Sequence, residues 1–358
     1  MSRFFSSRYR DLEAYVPGEQ PKQMKYIKLN TNESPFPPPR AVGEAVAAEA
    51  MRLPLYPDPE CTEFREHLAS MYGVSKEETF VTNGSDDILN FAFMAFVDPQ
   101  IGVAFADITY GFYEVFAQLH RLPYRKIPLL DDFSLDLEGF KSAKETLFIA
   151  NPNAPTGIAL SCAKIEELVC ANPNRMVVID EAYVEFGAES CLPLLKKYDN
   201  LLVVRTFSKS RSLAGGRLGY AFGRQEIIAE LNTLKYSMNP YNVNRLTLAA
   251  GQETLRLDDV VKENCRQIQQ IREKTSQELK DMGFFVTDSL ANFLFVHHPQ
   301  LSGEDYYNAL KRRGILVRHF KSERIAEFNR ISIGNAEDMG TFCRVTREIL
   351  EESKEKKL

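Results

Sequence analysis

The sequence predicts an α/β protein: a mostly parallel sheet with helices on both faces, followed by a smaller α+β domain. Three observations carry that expectation. Short, uniformly apolar segments recur between helix-like ones, as in strands buried on both faces and joined by crossovers. After Tyr241 the texture changes, and a long charged helical stretch leads into shorter strands. A chain of 358 residues also has room for two cores rather than one.

In chain order, the first forty residues are irregular and carry Pro17, Pro21, Pro35, Pro37, Pro38 and Pro39. Tyr15, Tyr26, Ile27 and Leu29 give this stretch enough apolar surface to dock, so an arm is expected rather than a free tail. The alanine-rich run Ala41 to Met51 reads as a helix, Thr79 to Thr82 as a strand and Ser85 to Phe96 as a helix. A strand follows at Ile101 to Phe105, a helix at Tyr110 to His120 and a strand at Thr146 to Ala150. Lys164 to Ala171 is helical; Met176 to Asp180 and Leu201 to Arg205 are buried strands. Beyond the charged helical region, which ends near Met282, strands are expected at Phe284–Val286, Asn292–Val296 and Ile315–Val317. Glu304–Arg313 and Asp338–Glu352 are the flanking helices. The expected division is an arm over 1–39 that joins the small domain, a large domain over 40–250 and a small α+β domain over 251–358.

The bulk numbers narrow the function. With 44% hydrophobic and 26% charged residues the chain reads as an ordinary soluble globular protein. Its 44 basic against 49 acidic residues, net −5, give no general attraction for nucleic acid or anionic membranes. The longest apolar run, Phe91 to Val97, is of core length and far short of the ~20 residues of a membrane span. The N-terminus lacks the apolar stretch of a signal peptide. Six cysteines are scattered without a Cys-x-x-Cys pair, which points to reduced thiols in a cytosol and away from disulfides or zinc. The five histidines show no metal-ligand spacing, so no metal is expected.

Ligand sites in open α/β sheets lie beyond the carboxyl ends of the strands. Four expected strand ends are followed by polar clusters: Asn83-Gly84-Ser85-Asp86-Asp87, Asn151-Pro152-Asn153-Ala154-Pro155-Thr156-Gly157, Asp180-Glu181-Ala182-Tyr183 and Thr206-Phe207-Ser208-Lys209. Together they suit a phosphorylated pyridine aldehyde. Such a group needs an amine to form an imine and shuttle protons, and a carboxylate at the ring nitrogen. It also needs donors at the ring oxygen, and a helix N-terminus, hydroxyls and an arginine at the phosphate. Lys209, Asp180, Tyr183 or Asn153, Gly84-Ser85-Asp86, Thr206, Ser208 and Arg217 are the respective candidates. Taken singly, each has an ordinary reading as a surface lysine, helix cap or half-buried tyrosine; their joint occurrence is what counts. The Gly215–Gly219 stretch does not fit a dinucleotide fingerprint.

Through Asn-Pro-x-x-Pro-Thr-Gly, Asp-Glu-Ala-Tyr and Ser-Lys…Arg in this order, over nearly its whole length, the chain resembles the fold-type I aminotransferases that use pyridoxal 5′-phosphate. Tyr15-Val16-Pro17-Gly18-Glu19-Gln20-Pro21, Leu29-Asn30-Thr31-Asn32-Glu33-Ser34-Pro35, Tyr56-Pro57-Asp58-Pro59 and Ile315-Leu316-Val317-Arg318 make it most similar to the histidinol-phosphate aminotransferase family. The resemblance implies that Lys209 is the Schiff-base lysine and proton shuttle and that Asp180 pairs with the pyridinium nitrogen. It implies that Asn153 and Tyr183 contact the ring oxygen and that Tyr110 stacks on the ring. Ser85, Asp86, Thr206, Ser208 and Arg217 would hold the cofactor phosphate. Tyr56 would reach that phosphate from the neighbouring subunit of a homodimer. Asn153, Arg330, Arg318 and Tyr15 would meet the substrate. Ala154 and Thr31 depart from the family pattern at places read as tolerant, Asp87 stands for a usual glutamate, and Gly216 for a common leucine.

The implied reaction interconverts histidinol phosphate and 2-oxoglutarate with imidazole-acetol phosphate and glutamate, in histidine biosynthesis. Amino donor and 2-oxo acid acceptor are then the small-molecule partners, and neither nucleic acid nor membrane is expected to be one. Aromatic amino acid transamination is the main alternative. Threonine-phosphate decarboxylation is a weaker one, because the His-Gly-Gly segment usual in that family is absent near the N-terminus. A regulator built on the same domain would carry a helix-turn-helix module ahead of it, and the proline-rich stretch before Arg40 is read as too short for one.

Overall fold

The computed structural model describes residues 2–22 and 24–355. Strand β1 (Ile27–Lys28) is followed by helices α1 (Arg40–Ala50) and α2 (Thr62–Tyr72). Then come β2 (Thr79–Thr82), α3 (Ser85–Phe96), β3 (Val103–Ala106), α4 (Phe112–His120) and β4 (Tyr124–Ile127). The middle of the chain supplies α5 (Leu137–Lys141), β5 (Thr146–Ala150), α6 (Cys162–Cys170), β6 (Val177–Asp180), β7 (Leu201–Thr206) and β8 (Gly219–Gly223). Helices α7 (Gln225–Met238), α8 (Arg245–Arg256) and α9 (Asp258–Asp281) precede β9 (Phe285–Val286) and β10 (Phe293–His297). The chain closes with α10 (Gly303–Arg312), β11 (Ile315–Leu316), β12 (Arg318–His319), β13 (Asn329–Ser332) and α11 (Ala336–Glu355).

Seven strands form the main sheet in the order β2-β8-β7-β6-β5-β3-β4. All pairings are parallel except those of β8, which runs antiparallel between β2 and β7. Helices cover both faces, as expected. Alternation along the strands decides which face each side chain supplies: Leu201 and Val203 enter one apolar core, Leu202 and Val204 the other. Every residue of β2, β3, β5, β6 and β7 is buried. Edge strand β4 exposes Tyr124, Arg125 and Lys126, and charges there discourage pairing with another sheet.

A second sheet, β12-β13-β10-β9, is wholly antiparallel. Beside it β1 of the arm pairs in parallel with β11, Ile27 opposite Ile315. A third apolar core, with Phe293, Ile331, Phe342 and Ile349, also takes in Leu29 of the arm. The charged stretch after Tyr241 is two helices, broken at Leu257. The expected boundary at 250/251 falls inside α8, whose Ala250 and Leu255 pack in the core of the main sheet. In α9, Val261, Cys265 and Ile268 pack instead in the third core, so along these helices the change of core falls at the α8–α9 junction.

Candidate active site

The carboxyl ends of β2, β5, β6 and β7 open on one cavity, together with the segment after β3. Its volume is about 550 Å³, mouth included, and its wall holds Ser85, Asp86, Tyr110, Asp180, Tyr183, Thr206, Ser208, Lys209 and Arg217. Nine of the expected residues, from five separate stretches of chain, thus meet at one place. Ala150, Pro152, Ala154 and Ala182 complete it.

One end of the cavity is built for an anion. The first turn of α3 begins at Ser85, so its unpaired amides and the positive end of the helix dipole face outward. Gly84 enters this helix at φ 89°, and a Cβ there would lie 2.7 Å from Nη2 of Arg217. A Cβ on Gly219 would lie 2.3 Å from the amide of Ser85, so β8 passes against the turn only because position 219 lacks a side chain. Arg217 adopts φ 51°, a strained state for a side-chain-bearing residue of the kind that gathers at functional sites. Its guanidinium donates to Ser208 Oγ at 3.3 Å and pairs with Asp86 at 3.1 Å. Asp86 also accepts from the Tyr110 hydroxyl at 2.8 Å. Burial, then the Asp86 charge, push the Tyr110 hydroxyl well above the ordinary tyrosine range, so it stays a donor. The Asp86 carboxylate therefore orients Arg217 and Tyr110, and only its backbone amide suits a bound phosphate.

At the other end lies Asp180, the last residue of β6. It accepts from the Tyr113 hydroxyl at 3.2 Å and the Ala182 amide at 3.1 Å, both neutral donors. Burial raises its pKa from 3.8 to about 7, against the lowering effect of these two hydrogen bonds. Lys209 Nζ donates to the Thr31 carbonyl at 3.3 Å and lies 5.8 Å from the centre of the Tyr183 ring. The Tyr183 hydroxyl accepts from Asn32 at 3.0 Å.

Three expected residues form an adjoining group. Arg318 and Arg330 face each other across β12 and β13. Like charges directly opposite on neighbouring strands repel. Arg330 is half-buried, donates to the Asn30 carbonyl at 3.1 Å, and has its guanidinium carbon 5.4 Å from the Phe293 ring centre. Its buried Nε has no hydrogen-bond partner among the described residues, and burial lowers its pKa. Tyr15 stacks on Phe112 with ring centres 4.2 Å apart and tilts toward Tyr110 at 6.5 Å. Arg318 holds the arm by donating to the Val16 and Pro17 carbonyls.

The remaining two expected residues belong neither to the wall nor to the adjoining group. Asn153 turns away: its amide donates to the Ile108 carbonyl at 3.0 Å and Thr156 Oγ1 at 3.1 Å, and accepts from Thr109 at 2.8 Å. That leaves the cavity face of this turn to Ala154, which is therefore not at an indifferent position. Tyr56 sits on the α1–α2 loop, 77% exposed, and does not line the cavity of its own chain. Sequence reasoning missed Tyr113, although it lies three residues after Tyr110, in the helix expected from Tyr110 to His120. It also missed Asn32, although that residue lies in the Leu29–Pro35 segment that carries the family resemblance.

On the opposite side of β6 and β7, Glu181 and Arg205 form a buried ion pair at 2.8 Å, with Ser190 hydrogen-bonded to both. It ties together the two strands that carry Asp180 and Thr206.

The chain belongs to the class I and II aminotransferase family, whose model matches residues 24–345. Within that class its similarity is to the histidinol-phosphate aminotransferases. It is 47% identical to that of Clostridium acetobutylicum over 98% of this chain and 100% of the relative. It is 46% identical to that of Brachyspira hyodysenteriae over 98% and 99%. In fold it matches the histidinol-phosphate aminotransferase of Sinorhizobium meliloti, solved in complex with pyridoxal-5′-phosphate, with a TM-score of 0.82. That match has 24% identity and covers 91% of this chain and 92% of that one.

Proposed function

We propose that this chain transfers an amino group between histidinol phosphate and 2-oxoglutarate in histidine biosynthesis, using pyridoxal 5′-phosphate, as a homodimer in the cytoplasm. The observation that carries the chemistry is the pair Lys209 and Asp180 on one cavity wall, with a phosphate cradle beside them. No helix among the described residues is long and apolar enough to cross a membrane.

The donor set fits the cofactor. Asp180 is a buried acid hydrogen-bonded by neutral groups only, and a ring N–H⁺ is the partner such a carboxylate lacks. The α3 amides, Thr206, Ser208 and Arg217 would hold the phosphate, and Tyr110 would lie against the ring. Tyr183 would reach the ring oxygen; with Ala154 on the wall and Asn153 turned away, that oxygen has one fewer donor in this chain. When bound, the cofactor supplies a cationic ring that draws electrons from the substrate Cα.

The remaining work falls to the chain. Asp180 would keep the ring nitrogen protonated. Lys209 Nζ would hold the cofactor and serve as the base that takes the proton from the substrate Cα. Arg330 and Arg318 bind the far anion. Both half-reactions need this anion site, because one substrate ends in a phosphate and the other in a carboxylate, and a guanidinium fork suits either. Tyr15, stacked on Phe112 and near Tyr110, would meet the substrate from the arm.

The test is spectroscopic. The absorbance of the purified protein with pyridoxal phosphate is recorded, then histidinol phosphate and 2-oxoglutarate are added in turn. A band that shifts with the first and returns with the second supports the reading. The aromatic cluster of Tyr15, Phe112 and Tyr110, of which Tyr110 lines the cavity, favours one further possibility, phenylalanine or tyrosine as donor. A band that ignores histidinol phosphate and answers these would move the substrate and keep the mechanism.

A further inference from the structure

Tyr56 is exposed, yet the backbone of its loop is anchored on several sides. Arg245 of α8 donates from Nη1 to the Tyr56 carbonyl at 2.7 Å, while its Nε pairs with Glu49 of α1 at 2.7 Å. Lys235 of α7 is 2% exposed and donates to the Pro59 carbonyl at 2.8 Å. Between them, Asp58 accepts from the amides of Glu60 at 3.0 Å and Thr62 at 2.7 Å. The Tyr56 ring stacks on Tyr241, centres 4.6 Å apart and planes within 22°.

A buried lysine directed at a backbone carbonyl is a costly arrangement. A loop that merely joins two helices has no need of it, since such loops tolerate movement. An outward-pointing phenol that must meet a ligand does need it. On a loose loop, the ordering entropy of the segment would be lost at each binding event.

The loop also lies next to the chain's own anion cradle. Asn242, beside Tyr241, donates to Asp87 in the first turn of α3 at 3.2 Å. One turn, α7–α8, thus touches both the exposed Tyr56 and the cradle. In a two-fold dimer a patch meets its own copy, so a Tyr56 near one cradle can serve the other.

We propose that Arg245 and Lys235 are positioning residues that hold Tyr56 in place to grip the cofactor phosphate bound by a second copy of this chain. The inference rests on the reading of Tyr56 as a phosphate ligand across a dimer interface.

The test compares Arg245→Met, Tyr56→Phe and the double variant. Equilibrium dialysis measures binding of pyridoxal 5′-phosphate and of pyridoxal, which has no phosphate, and sedimentation gives the oligomeric state. Each single variant is expected to raise the Kd for pyridoxal phosphate about tenfold, as for one lost hydrogen bond. The double variant should lose no more, the Kd for pyridoxal should not change, and all should remain dimers. Lys235→Met should repeat the Arg245 result. Arg245→Lys can serve Glu49 or the Tyr56 carbonyl but not both. It should show the same pattern in smaller measure, and it decides the matter if the methionine variants do not fold. An Arg245 effect that adds in full to Tyr56→Phe, or that is as large for pyridoxal, would overturn the positioning role and leave the Tyr56 reading standing. Unchanged phosphate affinity in Tyr56→Phe would overturn that reading, and the proposal with it.

Discussion

Asp180→Asn should make the cofactor-free protein more stable at neutral pH and above, although it removes a residue central to the proposed chemistry. Burial raises the folded-state pKa of Asp180 from 3.8 to about 7. Between those values the folded chain keeps a proton that the unfolded chain releases, so this residue lowers stability progressively as pH rises from about 4 to 7 and then levels off. A gap of about three pH units, at roughly 1.4 kcal/mol each, puts the full penalty at about 4 kcal/mol. Asparagine keeps the shape and carries no charge to desolvate. Its advantage over aspartate should therefore grow by roughly 2–3 kcal/mol between pH 5 and pH 8. Urea unfolding of the two cofactor-free proteins, at matched protomer concentration because dimers unfold by mass action, reads this difference directly. A difference that does not change with pH would mean that Asp180 is already paired or hydrated when the site is empty. Asp180 would then not be a carboxylate waiting for a ring cation. With pyridoxal phosphate present the order should reverse, since asparagine offers the ring N–H⁺ no charge.

Lys209→Ala should abolish turnover while its thermal unfolding stays close to that of the parent, because Nζ makes a single long hydrogen bond to Thr31; turnover at the parental rate would remove Lys209 from the mechanism. Arg330→Ala should raise KM for both the amino donor and the 2-oxo acid, and steady-state kinetics with each varied in turn would exclude its anion role if neither moved. Arg205→Met should destabilise the protein by about 3–5 kcal/mol, because it strands Glu181, which is fully buried, without its partner. A loss below about 1 kcal/mol in denaturant unfolding would show that Glu181 takes up a proton or finds another donor.

The sheet was legible because its central strands are apolar on both faces, a pattern that survives without any knowledge of partners. The parts that were not legible lack that mark. Strand β8 begins and ends in glycine, and its antiparallel place between β2 and β7 depends on residues far away in sequence. Edge strand β4 keeps only Ile127 buried, so its charges read as loop. Helix α2 has Phe64 and Leu68 on one side, yet it starts just after Pro57 and Pro59, which read as punctuation rather than as an approach to a helix. In the site, strand ends reveal where polar residues gather but not where each side chain turns. The motif around Pro152 and Pro155 was visible. That Thr109, Ile108 and Thr156 would draw Asn153 aside, and leave Ala154 at the wall, depends on a contact with the segment after β3 that spacing cannot express.

The charges around the cavity argue for a ligand more strongly than any single residue does. A protein selected only for stability would bring Asp180 together with one of the arginines, since an unpaired buried charge is among the most destabilising features of a fold. Instead Asp180 is hydrogen-bonded by Tyr113 and Ala182. Arg330 leaves Nε without a partner among the described residues and stands opposite Arg318 across two strands. Each of these arrangements is unfavourable by itself, and each would be relieved by a different part of the proposed complex: a cationic ring nitrogen at Asp180, and a substrate anion at the arginine pair. Arg217 is the contrasting case, because Asp86 already neutralises it. A phosphate there must share the guanidinium with a carboxylate, so its hold has to come largely from the α3 amides, the hydroxyls of Thr206 and Ser208, and a further donor. The exposed and firmly anchored Tyr56 is a group that could supply that donor from outside.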